Sequence, residues 1–254
     1  MNKTKIEWAD YTINPVKGLC PMDCKDNQGK SYCYARRMYK RFGWEPELKF
    51  NGRWFAPILG LAEPKRIFVG STMELFGEWI PDEWMASILE EASLFDGLGY
   101  PQHTFIFLTK QPQNLVKWSP FPDNCWVGVS ATNRQQWVHA QNYLHEIEAP
   151  VKFYSFEPLL GDVVGQPELV YFSNALKNSG INWIIIGQQT PVAPVTLPRR
   201  EWIQEIIKAA DIASIPVFEK DNLRAFLPFR QHYKDDYHDK CYSLRQEFPV
   251  IRQQ

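Results

Sequence analysis

Residues 182–218 read NWIIIGQQTPVAPVTLPRREWIQEIIKAADIASIPVF. The run Asn182–Gly187 is nearly all apolar and β-branched, as expected of a strand buried on both faces. From Arg199 to Ala213 no breaker interrupts the chain. Trp202, Ile203, Ile206, Ile207 and Ala210 recur there at helical spacing, which puts one apolar face on a helix. Ile215–Phe218 (IPVF) is a second short apolar run. Strand, amphipathic helix and strand in this order predict a parallel crossover unit.

The same alternation continues upstream. Arg66–Ser71 (RIFVGS), His103–Thr109 (HTFIFLT), Cys125–Ser130 (CWVGVS) and Val151–Phe156 (VKFYSF) are apolar runs of strand length. Amphipathic segments separate them: Pro81–Phe95, with Trp84, Ile88, Leu89 and Ala92 on one face, then the helix-like Gln111–Trp118, then Asn133–Ile147 and Glu168–Leu176. Thr12–Val16 is a short first strand, and Tyr34–Phe42 a helix that ends at Gly43. Seven parallel strands with outer helices predict an α/β chain forming one domain over residues 1–254. The expected architecture is a TIM-like barrel, partial or complete, over about residues 12–221. A cysteine loop at 18–34 and a C-terminal extension at 222–254 flank it. No Gly-rich dinucleotide fingerprint follows any strand, which argues against an open doubly wound sheet.

Bulk composition narrows the function. The chain has 254 residues, 44% of them hydrophobic, and a net charge of -1. That charge creates no global field for nucleic acid, although a local basic patch remains open. Five cysteines, three of them clustered, do not suit an even, dispersed disulfide framework. The N-terminal MNKTKIEWADYT has no apolar signal core, and no run nears the roughly 18 apolar residues of a membrane span. A cytoplasmic protein without membrane contact is expected.

The chemistry concentrates in Cys20–Cys33, CPMDCKDNQGKSYC, with the spacing C-x3-C-x8-C and Tyr32 directly before the last cysteine. Three thiolates on one short loop hold an iron–sulfur cluster or a zinc ion. A zinc site normally closes with four ligands, so three cysteines leave one position open. The loop follows the first strand and opens on the face where the other strands end, the active-site face of a parallel barrel. Those ends are polar: Ser71, Thr72 and Glu74; Thr109, Lys110 and Gln111; Ser130, Thr132 and Asn133; Ser155 and Glu157; Gln188, Gln189 and Thr190; Glu219, Lys220 and Asp221. Glu157 and Lys110, each just past a buried strand, are the catalytic candidates on the substrate side. For Glu157 a salt bridge or helix cap beside Pro158 is the competing explanation.

An aromatic before the third cysteine, in a loop after the first strand of a parallel barrel, resembles the radical S-adenosylmethionine (SAM) superfamily. The usual loop there is C-x3-C-x2-C, and this chain lengthens the second gap. The segments IEWADYTINPVKGLC, SYCYARR, RIFVGSTMELFGEWIPDEW, HTFIFLTKQP, CWVGVSATN, SFEPLLGDV and NWIIIGQQT, in this order, resemble phage- and prophage-associated radical SAM-like proteins. Gly187-Gln188-Gln189-Thr190 departs from the Gly-Gly-Glu-Ser common in that group, and Lys220-Asp221-Asn222-Leu223 from its Lys-Gln-Trp-Gly.

The resemblance implies that Cys20, Cys24 and Cys33 hold a [4Fe-4S] cluster whose open iron chelates SAM. It places Ser71, Thr72 and Glu74 near the SAM amino group, and Ser130 and Asn133 near its ribose or carboxylate. Gln188 completes the cofactor-side candidates. A one-electron reductant of the flavodoxin or ferredoxin type would drive SAM cleavage and hydrogen abstraction from a substrate, with a nucleic-acid base or nucleotide as one candidate. Arg36, Arg37, Lys40 and Arg41, with Lys30, form a basic cluster beside the loop that would meet nucleic-acid phosphates. The alternative is a non-catalytic module in which zinc or a cluster braces a nucleic-acid or protein contact surface. His232, His238 and Cys241 read as a solvated tail, and Cys125 as an ordinary buried thiol.

Overall fold

The computed structural model describes residues 1–95, 102–165, 168–192, 194–226 and 244–250. The strands are β1 (Asn2–Lys3), β2 (Tyr11–Ile13), β3 (Val16–Lys17), β4 (Lys49–Phe50), β5 (Arg66–Val69), β6 (Thr104–Thr109), β7 (Cys125–Ser130), β8 (Val151–Phe156), β9 (Trp183–Ile186) and β10 (Val217–Glu219). The helices are α1 (Tyr34–Phe42), α2 (Asp82–Ser93), α3 (Arg134–Leu144), α4 (Leu169–Asn178) and α5 (Arg200–Ala213). His232, His238 and Cys241 lie outside the described residues.

One eight-stranded sheet runs β1-β2-β5-β6-β7-β8-β9-β10. Every neighbouring pair from β2 to β10 is parallel, and β1 alone is antiparallel, pairing with β2. The seven expected parallel strands are therefore all present, in chain order. Strand alternation sorts their side chains into two cores. On one face Phe107, Val127, Phe156 and Ile186 pack with helix residues such as Ile88, Trp137, Phe172 and Ile206. On the other, Phe68, Ile106, Trp126, Phe153, Trp183 and Phe218 meet Trp8 from the N-terminal segment.

Among the described residues no ladder joins β10 to β1 or β2, so the complete form of the barrel is not seen. The physical reason is that the edge of β10 is already covered. Glu219 N donates to Arg245 O, Glu247 N donates to Val217 O, and Phe218 bridges Gln246. Phe248 then packs on Trp183 and Phe218, with the Arg66 guanidinium 3.9 Å from its ring centre. A segment of what was expected to be a plain extension thus stops the gap between the first and last parallel strands.

Two elements differ from expectation. Val16 leaves the first strand, because Pro15 cannot donate to a ladder, and joins the antiparallel β3–β4 pair instead. The helix-like 111–118 is two short 3-10 turns, Pro112–Asn114 and Val116–Trp118, too short to form a helical layer. No helix among the described residues is long and apolar enough to cross a membrane.

Candidate functional site

The β3–β4 pair closes the neck of a flap holding the cysteine loop and α1. The flap lies across the C-terminal strand ends, as its hydrogen bonds show. Glu74 N donates to Cys20 Sγ (3.4 Å) and Tyr34 Oη to Ser71 O (3.1 Å), both after β5. Gln111 Nε2 reaches Met22 Sδ after β6, Asn27 Nδ2 reaches Leu160 O after β8, and Arg37 reaches Thr190 O after β9.

The long gap between Cys24 and Cys33 is a turned finger. Asp26 is buried and organises it: Oδ1 accepts from Gln28 N and Lys30 N, both at 2.9 Å. Asp26 N donates to Lys30 O, Gly29 N donates to Asp26 O, and Lys25 bridges Ser31. The chain returns on itself, and Tyr32 N donates to Cys24 O at 3.0 Å. The inserted residues leave the loop and come back, so Cys24 and Cys33 end as neighbours.

Cys33 caps α1, accepting from Arg36 N at 3.5 Å. Its thiol is pulled down to about 6, first by the hydrogen bond from Cys24 and then by the amides of Arg36 and Ala35, against its burial. Cys24 is correspondingly held protonated by that shared hydrogen bond and by burial. Burial also raises Cys20, and the charges of Glu74 and Cys33 add to this. Arg36 turns inward, donating to Cys20 O and Met22 O, so it braces the loop instead of joining the outward basic cluster.

Among the described residues no three His, Cys, Asp or Glu side chains form a ready site for a single metal ion. Cys20, Cys24 and Cys33 are nonetheless free thiols in mutual electrostatic contact within one loop. That donor set fits an iron–sulfur cluster, whose thiolates bind separate irons.

A cavity of about 260 Å³ opens beside Cys24. Tyr32 lines it from the loop, Lys110 and Ser130 from the ends of β6 and β7, and Gln136 and His139 from α3. Lys110 Nζ donates to Ser130 Oγ at 2.6 Å, and the serine hydroxyl donates to Glu157 O at 3.1 Å. Burial raises the Tyr32 phenol, with the nearby Cys24 reinforcing it, so Tyr32 stays a neutral wall.

The other expected residues sit elsewhere. Glu74 is buried and committed: Thr109 Oγ1 (2.7 Å), Lys110 N (2.7 Å) and Phe76 N (3.2 Å) all donate to it. Burial pushes its carboxyl above the usual range. Ser71 and the Thr72 amide are held by Asn14, at the end of β2. Asn133 caps α3, accepting from Gln136 N. Gln188 and Asn222 grip each other through side chain and backbone, leaving Gln188 Oε1 buried without a partner among the described residues. Glu157 is paired: Lys220 Nζ lies 2.6 Å from Glu157 Oε1 and 3.6 Å from Glu7 Oε2. Gly187 permits that stack, because a Cβ there would come within 3.1 Å of both side chains.

Lys110 and Ser130 therefore reach the cavity, while Ser71, Thr72, Glu74, Asn133, Gln188 and Glu157 do not line it. Gln136, His139, Asn14 and Glu7 are not singled out by the sequence, whereas Lys220 is among the polar strand ends that it marks. Gln136 and His139 carried one local signal, an i, i+3 pair on the helix that follows a strand end. Asn14 and Glu7 carried none.

Fold and site together define a parallel α/β protein with a three-thiol loop folded over its strand ends. The chain belongs to the family described as "Protein of unknown function (DUF5131)", whose profile matches residues 3–225. No curated protein matches it. Among solved structures, a point mutant of spore photoproduct lyase is similar over 80% of this chain, with 13% identity and a TM-score of 0.49. The match covers 62% of that neighbour's own length.

Proposed function

We propose that this chain is a radical SAM enzyme. Cys20, Cys24 and Cys33 hold a [4Fe-4S] cluster, SAM is the cofactor, and the reaction is hydrogen abstraction from a substrate admitted at the strand ends. The observation that carries this reading is the finger, which returns Cys33 to Cys24 beside a cavity of about 260 Å³. The resemblance of the chain's motifs to phage- and prophage-associated radical SAM-like proteins supports it. When bound, the cluster supplies the electron that cleaves the sulfonium of SAM, delivered by a flavodoxin or ferredoxin type of reductant.

The chain's own residues bind, orient and exclude water. Arg36 ties two loop carbonyls and Asp26 rigidifies the finger, so the thiols are presented together. Lys110 places a fixed positive charge in the cavity and Ser130 orients it, an arrangement suited to a carboxylate of cofactor or substrate. Tyr32 walls the cavity on the loop side, and hydrogen abstraction requires that the site shut out water once substrate is bound. Glu157 has a positioning role, holding Lys220 and presenting its carbonyl to Ser130.

Anaerobic purification, followed by iron, sulfide and zinc analysis and then reductant plus SAM, tests the reading. About four irons per chain and formation of 5'-deoxyadenosine are expected. One zinc per chain, with no SAM cleavage after iron–sulfur reconstitution, would overturn it.

A further inference from the structure

Helix α1 and the turn after it carry an exposed surface of which only Arg37, by its bond to Thr190 O, has a part in seating the flap. Its sequence, YARRMYKRF, has four cations, no acid, and no Leu, Ile or Val. Arg36 faces the cysteine loop, which leaves Arg37, Lys40 and Arg41 exposed. Among the described residues Lys40 and Arg41 have no ion-pair partner within 4.0 Å, and the Arg37 side chain donates to Thr190 O.

At the end of the helix Phe42 is 53% and Trp44 45% exposed. These are large apolar groups to leave in water. Their rings stack on each other, with centres 5.3 Å apart and planes 21° from parallel. Tyr39 meets Trp44 edge-on and accepts from Gly18 N, two residues before Cys20, so the stack is anchored to the base of the cysteine loop. The Arg41 guanidinium lies 5.3 Å from the Phe42 ring centre.

We infer that the α1 surface, Arg37, Lys40 and Arg41 with the Phe42–Trp44 stack, binds single-stranded nucleic acid and leads it to the strand-end cavity. This rests on the function proposed above only for what happens at the cavity; the binding itself does not. Flat rings beside a line of cations are what successive bases and phosphates need. A lipid-surface helix buries an apolar stripe along its length, whereas the most exposed apolar groups here, Phe42 and Trp44, sit together at the end of α1. Single strands are specified because a base inside a duplex must leave its stack to be reached. Geometry fits delivery: nine residues of helix, from the Cys33 cap to Phe42, span roughly 13 Å. The neighbouring acids are few. Glu47 is paired with Lys49 and Glu45 is exposed beyond Trp44, so neither lies on the helix.

The test uses the full chain, purified anaerobically, and fluorescence anisotropy with a labelled mixed-sequence 12-nucleotide single strand, as DNA and as RNA. Three phosphate contacts predict a salt slope of about -2, hence a roughly 20-fold loss of affinity between 50 and 200 mM salt. Lys40→Glu with Arg41→Glu leaves one phosphate contact and should flatten the slope to about -0.7. Phe42→Ala with Trp44→Ala should cost about tenfold or more with the slope kept. Trp44→Phe should retain most affinity and shows that loss in the alanine variant is not misfolding. The inference is overturned by no binding at 50 mM salt, by binding that neither variant changes, or by binding to anionic phospholipid vesicles in place of the oligonucleotide. Iron content and SAM cleavage are read separately on the same preparation, so loss of the enzyme reading leaves the binding result standing.

Discussion

Asp26→Ala separates the finger from the thiols it brings together. Asp26 accepts two backbone amides, Gln28 N and Lys30 N, each at 2.9 Å. A hydrogen bond to a charged acceptor contributes about 1.5–3 kcal/mol, and the finger rises from the surface, so the lower end applies to each. Removing both costs about 3 kcal/mol of local stability, a roughly 150-fold increase in the open population. Hydrogen exchange should show this directly: the Gln28, Lys30 and Tyr32 amides exchange roughly 100-fold faster, while β6 and β7 amides do not change. Asp26→Asn keeps a neutral acceptor and should lose about half as much free energy. Because the open finger no longer returns Cys33 to Cys24, reconstitution at limiting iron should leave Asp26→Ala underloaded and quick to lose iron to a chelator. The reasoning fails if the finger amides keep their protection, or if they lose it while iron retention equals that of the wild type.

Two further outcomes follow from the closure of the sheet. Lys220 is mostly buried between Glu157 and Glu7; burial works against its charge, but the two carboxylates outweigh it and raise its pKa above 10.5. Lys220→Met leaves two unneutralised carboxylates side by side and should cost about 3 kcal/mol, or about 8 °C in Tm. Since a raised lysine pKa stabilises below the unfolded value and is lost as pH rises through the folded one, the gap between wild type and variant should be flat from pH 7 to 10 and close only above about 10.5. A gap that closes between pH 7 and 9 would contradict this. Phe248→Ala removes the ring held by Trp183, Phe218 and Arg66. It should cost about 2 kcal/mol, lowering Tm by about 4–6 °C and exposing the β10 edge to exchange. An unchanged Tm would mean that residues 244–250 do not seal that edge.

Much of the fold was legible because it is written locally. Cys125–Ser130, Val151–Phe156 and Tyr34–Phe42 have the same limits in the structure as in the sequence reading. Each combines an unbroken apolar or amphipathic period with a clear boundary, such as Gly43, whose φ of 60° ends α1. The site was legible in kind but less so in detail. The polar strand ends were correctly placed, yet only Lys110 and Ser130 line the cavity. A strand period reports which face a side chain leaves from, and does not say what it meets. Glu74 and Ser71 look alike as strand-end polar residues, but they are bonded by Thr109 and by Asn14, 57 positions away in the latter case.

By itself, then, the sequence determined the order of parallel strands and helices, the three-thiol loop and the face it opens on, since apolar periodicity and residue chemistry are local properties. Tertiary structure alone decided three other things. The inserted residues fold into a finger that brings Cys24 beside Cys33. Arg36 turns inward while Lys40 and Arg41 face outward. The last strand is sealed by Phe248 and residues 245–247 in place of the first strand. Each depends on contacts between segments far apart in the chain, such as Trp183 Nε1 donating to Glu247 O across 64 positions. No local pattern encodes such partners, because the free energy that selects them is released only when distant surfaces meet.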